Sequence, residues 1–156
     1  MITLSIRIDD KRVMEALNDP KLVMGPIRDF LLRSALVIEG RAKQNAPVDT
    51  GRLRNAIRTT IEPTRATIEP HTSYAAFVEF GTRPHWAPRG ALQPWARRHG
   101  FPAGASGDYL ARRAIARRGT RAQPYMQPAL DDSRADIEAF LSDAGREIEE
   151  QWESHG

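Results

Sequence analysis

Residues 57–70 read Ile57-Arg58-Thr59-Thr60-Ile61-Glu62-Pro63-Thr64-Arg65-Ala66-Thr67-Ile68-Glu69-Pro70. Two short β-prone runs, 57–62 and 66–69, flank Pro63-Thr64-Arg65, and Pro70 closes the second. β-branched side chains suit a pleated, half-buried surface and proline stops a ladder, so the stretch predicts an antiparallel hairpin. Upstream, Ile2, Leu4, Ile6 and Ile8 alternate with Thr3, Ser5 and Arg7, the period of a strand with one covered face. The sheet then has three strands.

Helical signals surround these strands. Asp9-Asp10 can cap a short helix over Lys11 to Asn18, which Asp19-Pro20 interrupts. A longer helix is expected from near Pro26, with Ile27, Phe30, Leu31, Ala35, Ile38 and Ala42 on one stripe, ending before Ala46-Pro47. Ala75 to Phe80 fits a strand or a helical turn. Residues 83–106 hold four prolines and three glycines, the composition of a surface excursion, with a short helix across Leu92 to Arg98. Asp108 to Arg118 reads as a helix with Leu110, Ala111, Ala114 and Ile115 inward. The last helix is expected from Pro128 to Trp152, with Leu130, Ile137, Leu141, Ala144 and Ile148 at helical spacing. The order predicts an α+β fold, a small antiparallel sheet with a long helix and a C-terminal helix packed on one face, plus the Pro/Gly-rich excursion. A length of 156 residues suits one core, hence a single domain over 1–156 with an insertion at about 83–121.

Charge is small in sum and uneven in place. The formal net charge is +3, yet residues 83–121 carry 9 basic and 1 acidic side chain, and residues 122–156 carry 2 and 9. Opposed blocks fix register between neighbours more than they add affinity. No cysteine is present, which removes disulfides, thiolate zinc sites and cysteine nucleophiles. His71, His85, His99 and His155 lack ligand spacing, and Gly100 to Gly107 lacks the Lys-Ser/Thr ending of a phosphate loop. No cofactor or metal is expected. No apolar run reaches membrane-spanning length and Met1-Ile2-Thr3-Leu4-Ser5 is unlike a secretory signal, so the cytoplasm is the expected site of synthesis.

Three motifs stand in order: Ala46-Pro47-Val48-Asp49-Thr50-Gly51-Arg52-Leu53-Arg54-Asn55-Ala56-Ile57, then Tyr74-Ala75-Ala76-Phe77-Val78-Glu79-Phe80-Gly81-Thr82, then Gln123-Pro124-Tyr125-Met126-Gln127-Pro128-Ala129-Leu130. Together they make the chain, over roughly residues 26–140, resemble the phage minor tail and neck family of tail-completion proteins. Gly81 to Pro88 and Ile115 to Ala122 look like the family's longer, prophage-borne branch. The resemblance implies a virion component without catalytic residues at the head–tail junction, assembled as a ring, with other copies and neighbouring tail or connector proteins as partners. It also implies assembly in the host cytoplasm.

The residues allow narrower readings. Asp49-Thr50-Gly51 is also the aspartic protease triplet, but there it follows a hydrophobic strand; here it follows a helix and Pro47, so Asp49 or Thr50 reads as a cap before a short helix. Glu79 suits a general acid or metal ligand, or, as favoured here, a carboxylate satisfied by an arginine or backbone amides. Tyr125 and Met126, between Pro124 and Pro128, read as packing residues. Arg112, Arg113, Arg117, Arg118 and Arg121 could neutralise phosphates of DNA passing through a ring, which makes a sequence-independent DNA-binding protein the alternative. Trp86 and Trp95 either anchor a neighbouring subunit or fold back on their own domain.

Overall fold

The computed structural model describes residues 3–7 and 20–155. The helix expected over Lys11 to Asn18, and Ile2 and Ile8 of the first strand, lie outside the described residues.

The elements in chain order are β1 (Leu4–Arg7), α1 (Pro20–Asn45), α2 (Arg52–Ala56), β2 (Ile57–Glu62), β3 (Arg65–Pro70), α3 (Ala75–Phe80), α4 (Gln93–Arg98), α5 (Ala105–Arg118), α6 (Met126–Asp132) and α7 (Arg134–His155). The fold is α+β with a three-stranded antiparallel sheet in the order β1-β3-β2. The chain forms two compact units: residues 1–75 with 124–156, and residues 76–123.

In the first unit the hairpin pairs Ile57 with Pro70, Thr59 with Ile68 and Ile61 with Ala66, and β1 sets Leu4 against Ile68 and Ile6 against Ala66. All eight therefore share one face, on which Ile57, Ala66, Ile68 and Pro70 are buried, while Arg58, Thr60 and Glu62 face solvent. A sheet covered on one side needs this alternation. The cover is α1, whose stripe of Ile27, Phe30, Leu31, Ala35, Ile38 and Ala42 is buried throughout. Each such large aliphatic or aromatic side chain contributes about 1.5–3 kcal/mol. α7 and α6 pack on α1 in turn, which makes α1 the central element of the unit.

Four expectations need correction. α1 starts at Pro20, not near Pro26, and carries Pro26 inside it. Pro20 is tolerated in the first turn, and burial of Val23, Pro26 and Ile27 offsets the hydrogen bond that Pro26 cannot donate. The last helix is two, because Ser133, wholly buried, turns its Oγ back onto the Ala129 carbonyl at 2.6 Å and accepts Arg41 Nη1 at 2.8 Å. A serine bonding four residues back competes with the helical ladder and bends it. Within α7, Ala144 is buried and Ile137 and Ile148 half-buried, but Leu141 is 53% exposed. The N-cap position of α2 falls on Gly51 at φ 77° rather than on Asp49 or Thr50, and Asp49 is engaged two residues before it. Left-handed backbone is what requires glycine there.

Long-range polar contacts tie α1 to the C-terminal segment. Arg33 lies over the Phe140 ring at 4.1 Å and reaches Asp143 at 3.3 Å, and Arg41 reaches Asp136 at 2.7 Å. Among the described residues no helix is long and apolar enough to cross a membrane.

Candidate functional site

The second unit begins in α3, where six residues settle as a helix. Glu79 is buried and engaged, while Phe77 and Phe80 stand 59% and 70% exposed. Gly81 at φ 69° then turns the chain into Thr82. Thr82 and Thr120 form an isolated antiparallel bridge, with backbone bonds of 3.1 and 3.2 Å and their hydroxyls 3.0 Å apart. A side chain on Gly81 would meet the Thr120 carbonyl at 2.5 Å, and one on Gly119 the Thr82 carbonyl at 1.9 Å. Gln123 also donates its amide to the Val78 carbonyl at 2.8 Å. The two strands that open and close the insertion are thus stapled together by backbone, and glycine is what lets them approach.

Inside that staple, Asp108 organises the Pro/Gly-rich stretch. Its Oδ2 accepts the Gly90 amide at 3.0 Å and its Oδ1 the Leu92 amide at 3.1 Å. Arg112, one turn on, donates Nε to the Ala87 carbonyl at 2.7 Å, stands 3.8 Å from Asp108 and lies under the Trp86 ring at 5.5 Å. Trp86 stacks on Tyr109 at 6.3 Å, and Trp95 on His99 at 4.2 Å with Phe101 beside it. The inward face of α5 is therefore Gly107, Asp108 and Ala111, with Ile115 half-buried. That corrects the expected face: Leu110 and Ala114 are exposed, because the Gly90 and Leu92 amides draw Asp108 inward. Trp86, Arg89, Gly90, Gln93, Ala105, Asp108, Tyr109 and Arg112 line a cleft of about 520 Å³.

The structure splits the basic block. Arg113, Arg117, Arg118 and Arg121 are exposed, as are Arg83, Arg89, Arg97 and Arg98, whereas the Arg112 side chain is only 14% exposed. The unit's two carboxylates, Glu79 and Asp108, are both buried, so its surface presents eight arginines and no acid. Trp86 is 57% exposed and Trp95 38%.

The other motif residues belong to the first unit. Asp49 and Thr50 are exposed in the bend before α2, Arg52 is exposed, Leu53 is the buried residue of α2, and Tyr74 is half-buried. Pro124 is exposed and Pro128 sits in the first turn of α6; Tyr125 and Met126 between them are wholly buried, as packing residues should be. Among the described residues no three His, Asp or Glu side chains gather to hold a metal ion. On α1, burial pushes the Glu39 carboxyl up, but the Lys43 ammonium, by hydrogen bond and charge, and the charge of Arg58 outweigh it and hold the carboxyl below its usual range.

Sequence reasoning missed Asp108 as an organiser, although it is the one acid among nine bases in residues 83–121. A lone carboxylate in such company is itself a signal of an internal role. Phe77 and Phe80 were unreadable, because six residues do not define which face is covered.

Residues 26–81 match the family model described as "Bacteriophage HK97-gp10, putative tail-component". The match runs from Pro26 in α1 through α2, the hairpin and α3 to Gly81, so it includes the first motif and all of the second but Thr82, and stops before the excursion. No curated protein and no solved structure matches the chain.

Proposed function

Since residues 26–81 match the model of a phage tail-component family, we propose that the chain is a non-enzymatic structural subunit of a phage tail, acting at the head–tail junction as a tail-completion or neck protein. The family match carries this reading, because it covers the helix, hairpin and short helix that form the covered face of the sheet. The subunit joins other copies in a ring and contacts neighbouring tail or connector proteins. It is assembled in the host cytoplasm and resides in the virion. The 83–121 excursion is an insertion into the chain of one tail-component domain. Exposed Leu36, Val48, Phe77, Phe80 and Trp86 support association, since large apolar side chains left in water mark contact surfaces.

A second reading rests on one observation, the eight exposed arginines of the second unit without an exposed acid. They suit passive contact with the DNA backbone in the lumen of the ring, through charge and without base recognition.

Two experiments test the proposal. Light scattering coupled to size-exclusion chromatography, across concentration, should give a discrete multimer. A phage or prophage lacking the gene should release heads and tails that fail to join, and supplying the protein should restore infectious particles. Asp49→Asn should rescue as well as the parent chain. Particles that join normally without the protein, or rescue that is lost with Asp49→Asn, would overturn the structural, non-enzymatic assignment.

A further inference from the structure

The cleft of the second unit has a distinctive chemistry. Trp86 and Tyr109 line it with aromatic surface, Arg89 is an exposed lining residue, and Arg112 is held by Ala87 and Asp108. Asp108 has both oxygens engaged by backbone amides, so the cleft offers an incoming group aromatic surface and positive charge but no free carboxylate. Its volume of about 520 Å³ lies within the ~300–1,000 Å³ of typical ligand clefts, ample for one large aromatic side chain.

The same chain carries the complement. The last three turns of α7 hold Glu147, Glu149, Glu150 and Glu153 and no lysine or arginine after Arg146. Trp152, 51% exposed, stands one turn beyond Glu149 on the same side of the helix, and Leu141 and Gly145 continue that exposed stripe. An exposed tryptophan set among glutamates is an anchor without a pocket, and the cleft is a pocket without an anchor.

We propose that the cleft of the second unit receives the acidic end of α7 from a second copy of the chain, with Trp152 seated against Trp86 and Tyr109 and Glu149 facing Arg89. This deepens the ring reading and rests on it. A contact between two different patches is heterologous, and repeated from copy to copy it closes into a ring or runs on as a filament. Aromatic anchors in a desolvated pocket supply most of such a contact's affinity, while the charges set its orientation.

The test uses full-length chains in analytical ultracentrifugation. The cleft variant is Trp86→Ala with Arg89→Ala, and the tail variant is Glu149→Ala with Trp152→Ala; all four side chains are exposed, so folding is not at stake. Parent chain should form a multimer, and each variant alone should associate at least about tenfold more weakly. An equimolar mixture should form a two-chain species and nothing larger, because only one intact pair of patches remains. Variants that assemble like the parent chain would sink this contact and leave the ring reading standing. A mixture that stays at single-chain mass would also sink it. A parent chain of single-chain mass at every concentration overturns the contact, and together with failed phage rescue it overturns the tail reading as well. Salt-dependent binding of a labelled DNA duplex that the cleft substitutions abolish, with association unchanged, would reassign the cleft to the phosphate backbone.

Discussion

Gly81 and Gly119 illustrate how much a missing side chain can decide. Both have positive φ and both lie where a Cβ would strike the carbonyl of the opposing strand, at 2.5 and 1.9 Å. Gly81→Ala or Gly119→Ala should destabilise the chain by about 2–5 kcal/mol, adding a left-handed backbone penalty of ~1–2 to an overpacking penalty of ~1–3. Gly90→Ala is the control: its φ is 80° but nothing stands within 4 Å, so only the ~1–2 kcal/mol backbone penalty applies. Urea denaturation of the three variants should rank them accordingly, and equal losses would mean that the close approach is not rigid. Glu39 gives a pH prediction at the same scale. Its folded carboxyl is held below the ordinary glutamate value, so it stabilises the fold fully above roughly pH 4.3, and that contribution fades as pH falls through the lowered folded value. In Glu39→Gln, stability measured by urea midpoint should depend less on pH across that acid window.

At the scale of elements, the junction between α6 and α7 is held from α1. Arg41 reaches both Ser133 at 2.8 Å and Asp136 at 2.7 Å. Arg41→Ala should therefore cost about 1–2 kcal/mol, a charge-assisted pair partly screened by water. Its thermal midpoint should fall further than that of Arg146→Ala, whose partner Asp143 lies exposed on the same helix. The strands were legible because period-2 alternation and punctuating prolines are local signals, and Ile57 to Pro70 pairs residue for residue as that alternation requires. The stripe on α1 was legible for the same reason at period 3.6. What escaped were decisions made by distant partners. Nothing near Ser133 announces that Arg41, 92 residues earlier, will help break the last helix there. Leu110 and Leu141 fit an inward stripe by spacing alone, and Asp108 and the packing of α7 on α1 turn them outward. Among the motif residues, the burial of Tyr125 and Met126 was legible; the start of α6 at Met126 rather than Pro128, and the division of the arginines into one fixed at a cleft and eight in water, were not.

The whole molecule is polarised in charge along its sequence, with a basic second unit and an acidic α7. If copies join through those regions, raising salt from about 0.05 to 0.5 M should weaken association, since charges in water are screened beyond roughly a Debye length. Sedimentation across that range checks it, and association that strengthens with salt would point instead to an apolar contact at Phe77 and Phe80. The first unit is also assembled from two stretches of chain with the second encoded between them. Its central helix α1 leaves the ribosome well before α6 and α7, which are about 80 residues further on. At roughly 5–20 residues per second its apolar stripe lacks these partners for about 4–16 s of synthesis, so a nascent-chain chaperone is most needed in that interval.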